Sequence, residues 1–184
     1  MSTISPVAIP TGTWAVDPAH SRVEFAVKAF GISTVRGHFA RFEGTLVFPR
    51  DGGQVRASGR VRADSIDTNE ERRDAHLRSA DFFDVENHPY ITFAATRVEP
   101  GDGDQLFIIG NLTLHGVTRE ITLEAAVGGN DTDQFGNERV GLEVVGELDR
   151  RDFGMRFSQA LGGGNMLVGD DVKLTLDISA IKQS

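Results

Sequence analysis

The sequence predicts an all-β fold, an antiparallel barrel or sandwich of about eight strands interrupted by one short helix. Two observations support this prediction. Apolar and polar residues alternate with a period of two through most of the chain, and helical patterns do not alternate with the strands, which disfavours a parallel α/β sheet. The clearest row spans 55–63, where apolar or small residues alternate with Ser58 and three arginines. Such a row indicates a strand with one apolar and one solvated face.

The predicted strands follow one another along the chain with turns between them. Residues 1–11 are expected to form a tail and residues 12–184 a single domain, because 184 residues is a usual single-domain size. The side chains expected to face the interior are Trp14, Val16, Val23, Phe25, Val27, Phe42, Gly44, Leu46, Phe48, Val55, Ala57, Gly59, Val61, Ala63, Ile91, Phe93, Ala95, Leu106, Ile108, Gly110, Leu112, Leu114, Ile121, Leu123, Ala125, Val127, Val140, Leu142, Val144, Gly146, Leu148, Val172, Leu174, Leu176, Ile178 and Ala180. The connections expected from glycine-rich or polar stretches are 51–53, 115–116, 128–137 and 162–164.

The stretch 65–84 departs from this alternation and predicts the helix. Thr68 suits an N-cap, and Glu71 three residues later completes a capping box. The helix is expected from 69 to about 79, since this stretch contains neither proline nor glycine.

A helix of this length and polarity is not stable in water alone. Leu77, Phe82 and Phe83 are therefore expected to anchor it to the barrel. Asp74 and Arg78, four residues apart, are expected on its solvated side.

Several motifs occur in order between about 12 and 181. They are Asp17-x-x-His20-Ser21 with Phe25; Gly37-x-Phe39-x-x-Phe42-x-Gly44; Ser65-x-Asp67-Thr68; Arg73-Asp74-x-His76-Leu77-x-Ser79-x-Asp81-Phe82-Phe83-Asp84 with Pro89 and Phe93; Gly110-x-Leu112-Thr113-x-x-Gly116-x-Thr118; and Arg151-Asp152-Phe153-Gly154. This ordered set resembles the YceI-like family. The resemblance implies a lipocalin-like antiparallel β-barrel that binds polyisoprenoid lipids, in a family whose members are often homodimers.

Composition excludes several classes of partner. The formal net charge of −8 argues against nucleic acid and against a basic membrane-binding patch. The absence of cysteine excludes a disulfide framework and thiol chemistry.

No apolar run approaches the ~18 residues of a membrane span. The N-terminus lacks the pattern of a signal peptide, so a cytoplasmic location is expected, or a periplasmic or secreted one if such a segment has been removed.

The inward rows mix large and small residues, which leaves two alternatives open. Small residues on facing strands either leave a cavity or let aromatic side chains pack across the axis. The resemblance favours a cavity, and its apolar lining would select a long, uncharged isoprenoid or quinone-like tail, because each buried methylene contributes ~0.8 kcal/mol. The residues predicted to contact that tail are Phe25, Val27, Phe39, Phe42, Phe82, Phe93, Ile108, Leu112, Val144 and Phe157.

A polar head group would have to lie near a mouth of the barrel. His20, Arg73 and His76 are the residues predicted to contact it. The alternative for the helix is that Arg72 and Arg73 merely balance neighbouring glutamates on a solvated surface.

Neither a catalytic residue, a cofactor nor a metal ligand is predicted. The five histidines show no metal-binding spacing, so a metal site would have to assemble from separate strands. One alternative is an enzyme that acts on a lipid-like substrate through His76 with Asp74 or Asp81, and another is a filled structural or regulatory barrel.

The motif that begins at Arg151 has two compatible interpretations. In the first, Phe153 fills the core and Gly154 supplies a positive φ. In the second, Phe153, Met155 and Phe157 gate the mouth of the barrel.

Overall fold

Alternating residues form strands over most of the chain, as the sequence predicts. The structure is a computed structural model that describes residues 10–50, 53–158 and 168–183. The strands are β1 (Gly12–Val16), β2 (Arg22–Ala29), β3 (Ser33–Phe39), β4 (Phe42–Phe48), β5 (Arg56–Arg62), β6 (Ile66–Asp67), β7 (Tyr90–Pro100), β8 (Gln105–Leu114), β9 (Val117–Thr132), β10 (Glu138–Asp149) and β11 (Val168–Lys182). The helical segments are α1 (Glu71–Arg78) and the 3-10 segments Pro18–His20, Ala63–Ser65 and Arg150–Phe153.

The strands close into one antiparallel barrel. Three pairs of consecutive segments, β1 with β2, β3 with β4 and β5 with β6, each act as one bent strand, because the ladder between neighbouring pairs resumes after the bend, with a shifted register. With β7 to β11 they make eight strands. The barrel closes because β11 pairs with β10 along one edge and with β2 and then β1 along the other. The predicted barrel of about eight strands with a short helical insertion is confirmed.

The change of partner along β11 requires a specific bend between β1 and β2. Beside Ser179 the ladder that β11 forms with β2 and then β1 is interrupted by the 3-10 segment Pro18–His20. The Asp17 amide donates to the Ser179 carbonyl at 2.8 Å, and the buried Ser21 hydroxyl accepts from the Ser179 amide at 2.9 Å. Both backbone groups of Ser179 are therefore paired where the regular ladder cannot pair them.

The core fills both ends of the barrel. One cluster surrounds Trp14, which is fully buried and donates its indole N–H to the Pro10 carbonyl at 3.1 Å. The other surrounds Phe82 and Phe153 where the helical insertion covers the barrel. Phe93 packs against both clusters, so the two clusters meet along the barrel axis.

The helix begins two residues later than the capping box predicts. Glu70 is the N-cap, and its carboxylate accepts from the Arg73 amide at 2.6 Å. Thr68 does not cap the helix: its hydroxyl accepts from Arg73 Nε at 2.7 Å, and its amide and hydroxyl both donate to Asp74 Oδ1. The expectation that Asp74 is solvated is therefore wrong: the residue is 6% exposed, and its carboxylate tethers the segment before the helix.

The polar loop predicted at 128–137 is wrong over its first half, 128–132, which belongs to β9. Strands β9 and β10 stay paired as far as Thr132 and Glu138, and only a short turn separates them. Glycines and polar residues can form this part of the hairpin, because strand pairing there depends on backbone hydrogen bonds and not on buried apolar side chains. The turn at His115 and Gly116 is confirmed, with φ of 55° and 73° as a two-residue hairpin requires.

Three sequence predictions fall wholly or partly outside the described residues. They concern most of the N-terminal tail, the turn at 51–53 and the loop at 162–164. Among the described residues, no helix has the length and apolar character needed to cross a membrane.

Arg139 ties the β9–β10 hairpin to the bend between β1 and β2. Its guanidinium donates to Asp133 at 2.7 Å and to Asp17 at 2.9 Å. The Arg139 guanidinium, helped by the amides of Asn137 and Phe135, lowers the pKa of Asp133 to about 2. The pKa of Asp17 is lowered first by Arg139 and then by His20.

Replacing Arg139 with glutamine should destabilise the protein at neutral pH more than in acid. A carboxylate whose folded pKa is lowered contributes stability that is complete above its ordinary value of 3.8 and is lost as the pH falls towards about 2. Urea unfolding of both proteins from about pH 7 to about pH 3 should show a gap in unfolding free energy that narrows below about pH 4.

The matched control is Arg97→Gln, because Arg97 pairs at 2.9 Å with Glu99 on an exposed surface. Exposed ion pairs contribute little to stability, so this variant should unfold like the wild type. A gap for Arg139→Gln that does not change with pH would contradict the assigned role of the two aspartates.

Candidate functional site

An apolar cavity of about 270 Å³ occupies the barrel interior. This volume is close to the lower end of the ~300–1,000 Å³ found for small-molecule sites. Its lining includes Val172, Leu174, Leu176 and Ile178 of β11. Six residues of a strand that tilts by ~40° advance about 15 Å along a barrel axis, so the cavity is long relative to its volume.

The small inward residues explain why part of the interior is empty and part is filled. Ala57 and Gly59 line the cavity, and Gly59 faces Gly44 across the β4–β5 ladder. At Gly110, by contrast, an added Cβ would lie 2.7 Å from the Phe93 ring, which already occupies that space. Small residues therefore leave a cavity on one part of the wall, and an aromatic side chain packs over a small residue on another, so both alternatives left open by the sequence occur.

The helical insertion closes one end of the cavity. Leu77, Phe82 and Phe83 all line it, which confirms them as the anchors of the insertion. The Phe82 and Phe157 rings meet edge to face with their centroids 5.2 Å apart. Met155 adds a buried, adaptable side chain to the same wall.

Arg150 is the one buried charge on this wall among the described residues, with 3% of the residue exposed. Its guanidinium donates to four carbonyl oxygens, those of Met155, Phe157, Val168 and Gly169, at 2.7–3.3 Å. Burial lowers the pKa of this guanidinium, while Asp170 at 3.5 Å opposes that shift. Because these partners occupy its donors, Arg150 holds the segment after β10 to the start of β11.

The motif after β10 fills the core as its first interpretation predicts. Phe153 is 1% exposed, and Gly154 has a φ of 75°. Phe153 and Met155 are buried beneath the helical insertion. This burial argues against a gating role for either side chain.

The predicted apolar contact residues lie almost entirely on the cavity wall. Those that line it are Phe25, Val27, Phe39, Phe42, Phe82, Phe93, Ile108, Leu112 and Val144. Phe157 lies behind this wall, against Phe82. Their contact with a ligand stays a prediction.

The predicted head-group residues do not line the cavity. His20 is exposed on the outer flank, where Nδ1 lies 2.7 Å from Asp17 Oδ2. Arg73 donates to the hydroxyl and the carbonyl of Thr68, both at 2.7 Å. His76 is the nearest to the cavity of the three, because its ring stands edge to face against Phe82 and Phe157, at 5.0 Å from each.

The carboxylates proposed as partners of His76 behave differently. His76 Nε2 lies 2.8 Å from Asp81 Oδ2, and both side chains are exposed. Asp74 is committed to Thr68 instead. Of the two arrangements considered for a catalytic site, only the pair with Asp81 is formed.

Part of the cavity wall was not predicted from the sequence to contact a ligand. The unselected apolar lining residues include Val16, Val23, Leu46, Val61, Leu77, Phe83, Ile91, Leu123, Met155, Val172, Leu174, Leu176 and Ile178. The period of two already identified most of them as inward-facing. The polar border was not expected: Glu43, Ser58, Arg60 and Thr92 adjoin the cavity beside the facing glycines of β4 and β5, where the wall carries no side chain.

Comparisons with known proteins agree with this architecture. A family model described as the YceI-like domain matches residues 14–180. Protein YceI of Salmonella arizonae is 36% identical over 165 residues, which cover 89% of this chain and 83% of that protein.

Solved structures show the same fold. The Campylobacter jejuni YceI protein is similar with a TM-score of 0.72 and 27% identity, over 85% of this chain and 90% of that one. A polyisoprenoid binding domain from Saccharophagus degradans is similar with a TM-score of 0.71 and 13% identity, over 92% and 98% of the two chains. The family match over most of the chain, together with the 36% identity, establishes that this protein belongs to the YceI-like family.

Proposed function

We propose that the protein binds a long-chain isoprenoid, or a similar amphipathic lipid such as a quinone, inside the barrel and does not alter it chemically. The observation that carries this proposal is the apolar cavity of about 270 Å³ along the barrel axis. Membership of the YceI-like family and the similarity to a polyisoprenoid binding domain support the same class of ligand. The role would be storage, transport or sequestration.

The energetics favour an occupied cavity. At ~24 cal/mol per Å³, an empty apolar cavity of 270 Å³ costs about 6 kcal/mol. This cost is comparable to the ~5–15 kcal/mol by which a typical domain is stable. A lipid tail that fills the cavity restores the missing packing contacts.

The energetics also favour a long tail. Micromolar binding needs a net ~8 kcal/mol, and association costs at least ~4 kcal/mol. At ~0.8 kcal/mol for each buried methylene, about 15 methylene equivalents must be buried. A short acyl chain does not reach this threshold, whereas a polyprenyl chain exceeds it.

We place the head group at the end closed by the helical insertion. His76 contacts Phe82 on the cavity wall and remains exposed to solvent. An imidazole in this position can donate a hydrogen bond to a phosphate or quinone oxygen while the tail lies in the apolar cavity. Arg60, on the border of the cavity beside Gly59, marks the competing position.

A second candidate function, chemistry on the bound lipid, rests on the 2.8 Å contact between His76 and Asp81. It requires that a lipid recovered from the protein differ from the lipid supplied. Incubation with a labelled polyprenol, followed by extraction and chromatography, distinguishes the two functions. Binding without catalysis returns the same compound.

Filling the cavity should abolish lipid uptake. In Val144→Phe a larger side chain projects from a residue that is 6% exposed and lines the cavity. Affinity for a long-chain polyprenol, measured by native mass spectrometry from detergent micelles, should fall at least about tenfold, because each excluded methylene removes ~0.8 kcal/mol.

The matched control is Val145→Phe, the same substitution on the next residue, which is 47% exposed on the outer face of the strand. It should bind the polyprenol as the wild type does. Equal binding by both variants, each with the circular dichroism spectrum of the folded barrel, would contradict a ligand in this cavity.

Removing the His76 imidazole should affect the head group and not the tail. His76→Ala should bind a polyprenyl phosphate roughly tenfold more weakly and the matching uncharged polyprenol unchanged, because one hydrogen bond to a charged group is lost. Arg60→Gln should change neither affinity. If Arg60→Gln weakens the binding of the polyprenyl phosphate and His76→Ala does not, the head group lies at the border beside β4 and β5 instead.

A further inference from the structure

The turn after α1 and the hairpin between β8 and β9 bring three metal-ligating side chains together outside the lipid cavity. They are Asp84, His88 and His115, whose ligand atoms all lie within 4.8 Å of one another. All three are half-buried, and none lines the cavity. We propose that these residues bind a divalent transition-metal ion, with zinc as the ion that fits best.

The backbone holds Asp84 and His88 side by side. Asp84 has a left-handed φ of 48°, and its carbonyl accepts from the amides of Asn87 and His88 at 3.1 and 2.9 Å. The tight turn places His88 Nε2 4.0 Å from Asp84 Oδ2. The Asn87 side-chain amide donates to the same carboxylate oxygen at 3.0 Å and so fixes its direction.

His115 is oriented as metal-binding histidines usually are. Its Nδ1 lies 3.1 Å from the Phe153 carbonyl, and a carbonyl can only accept, so Nδ1 carries the proton. Nε2 of the neutral ring then carries the free lone pair. A backbone carbonyl on the other ring nitrogen is a common outer partner of metal-ligating histidine.

The hairpin turn packs directly against His88. The His88 and His115 ring centroids are 5.0 Å apart, and a Cβ at Gly116 would lie 2.6 Å from His88 Cε1. Only glycine permits this approach, and Gly116 also has a φ of 73°. The two imidazoles are therefore held together by the fold and not by chance surface proximity.

The donor set selects the class of metal. Two imidazoles and one carboxylate suit zinc and its neighbours, whereas magnesium and calcium prefer oxygen ligands alone. Zinc bonds of ~2.0–2.2 Å put tetrahedral ligand atoms ~3.3 Å apart, so ligand atoms that now lie within 4.8 Å of one another need to approach by at most about 1.5 Å. Solvent can supply a fourth ligand, because the three residues are only half-buried.

A bound ion would connect the segment that carries Phe82 and Phe83 to the β8–β9 hairpin. Through His115 it would also reach Phe153 in the second core cluster. Metal binding would thus stabilise the covered end of the barrel without entering the lipid site.

The test uses the tag-free full chain after chelator treatment and dialysis. Isothermal titration with zinc chloride near neutral pH should show one ion per chain. At a free zinc concentration ~100-fold above Kd, the unfolding temperature should rise by about 5–10 °C. Hydrogen exchange should slow in both 84–89 and 114–117, because the ion bridges these segments.

Three variants identify the ligands. His88→Ala and Asp84→Asn should each weaken zinc binding at least ~100-fold and remove the rise in unfolding temperature. His38→Ala is the matched control, because His38 lies 3.9 Å from Asp67 in a similar histidine–carboxylate pair that has no third ligand within the described part of the chain. It should bind zinc as the wild type does.

Two results would overturn the proposal. One is the absence of saturable zinc binding by the wild type. The other is His88→Ala binding with wild-type affinity while circular dichroism shows it folded. Cobalt substitution gives an independent measurement, since coordination by the two imidazoles should produce visible absorption that His88→Ala lacks.

Discussion

Closure of the barrel depends on one residue of β11, Ser179, where the strand changes partners. Regular pairing fails at this point, and two unpaired backbone groups in a sheet interior would be costly. The Ser21 hydroxyl and the Asp17 amide replace the missing ladder bonds. The motif that contains Asp17, His20 and Ser21 therefore serves closure, and its histidine lies outside the barrel.

Closure in turn determines the character of the interior. Eight strands give a barrel whose interior is only just large enough to be filled by side chains. Phe93 reaches over Gly110 and fills one region, while Ala57 and Gly59 leave another empty. The balance between these small and large residues creates a cavity that suits a thin apolar chain. The Arg150 guanidinium donates its hydrogen bonds to backbone carbonyls, so it presents no free polar group to the cavity.

The sequence predicted the parts of the structure that depend on local periodicity. A period of two identified the strands and nearly all inward-facing residues, including Val144 and Phe93. The glycine after His115 predicted a turn because two left-handed residues are needed there. The end of the helix was also close, since Ser79 is its C-cap.

Contacts between distant or competing groups were not predictable in this way. Thr68 suits an N-cap by sequence, but its hydroxyl accepts from the Arg73 side chain and donates to Asp74, and Glu70 caps the helix instead. The cluster of Asp84, His88 and His115 has no recognisable spacing, because its third member comes from the distant hairpin between β8 and β9. The head-group predictions named polar residues near turns, and side-chain pairing with Asp17 or Thr68 decided where two of them point.

The most direct test of a hollow, lipid-binding barrel is native mass spectrometry of the protein purified from its own host, followed by solvent extraction and lipid analysis. A cavity of about 270 Å³ with an apolar wall predicts a discrete added mass that extracts as a prenyl lipid or quinone. The mass of the bare protein, together with no uptake of supplied polyprenols or quinones, would contradict lipid binding and indicate a barrel that functions through its surface.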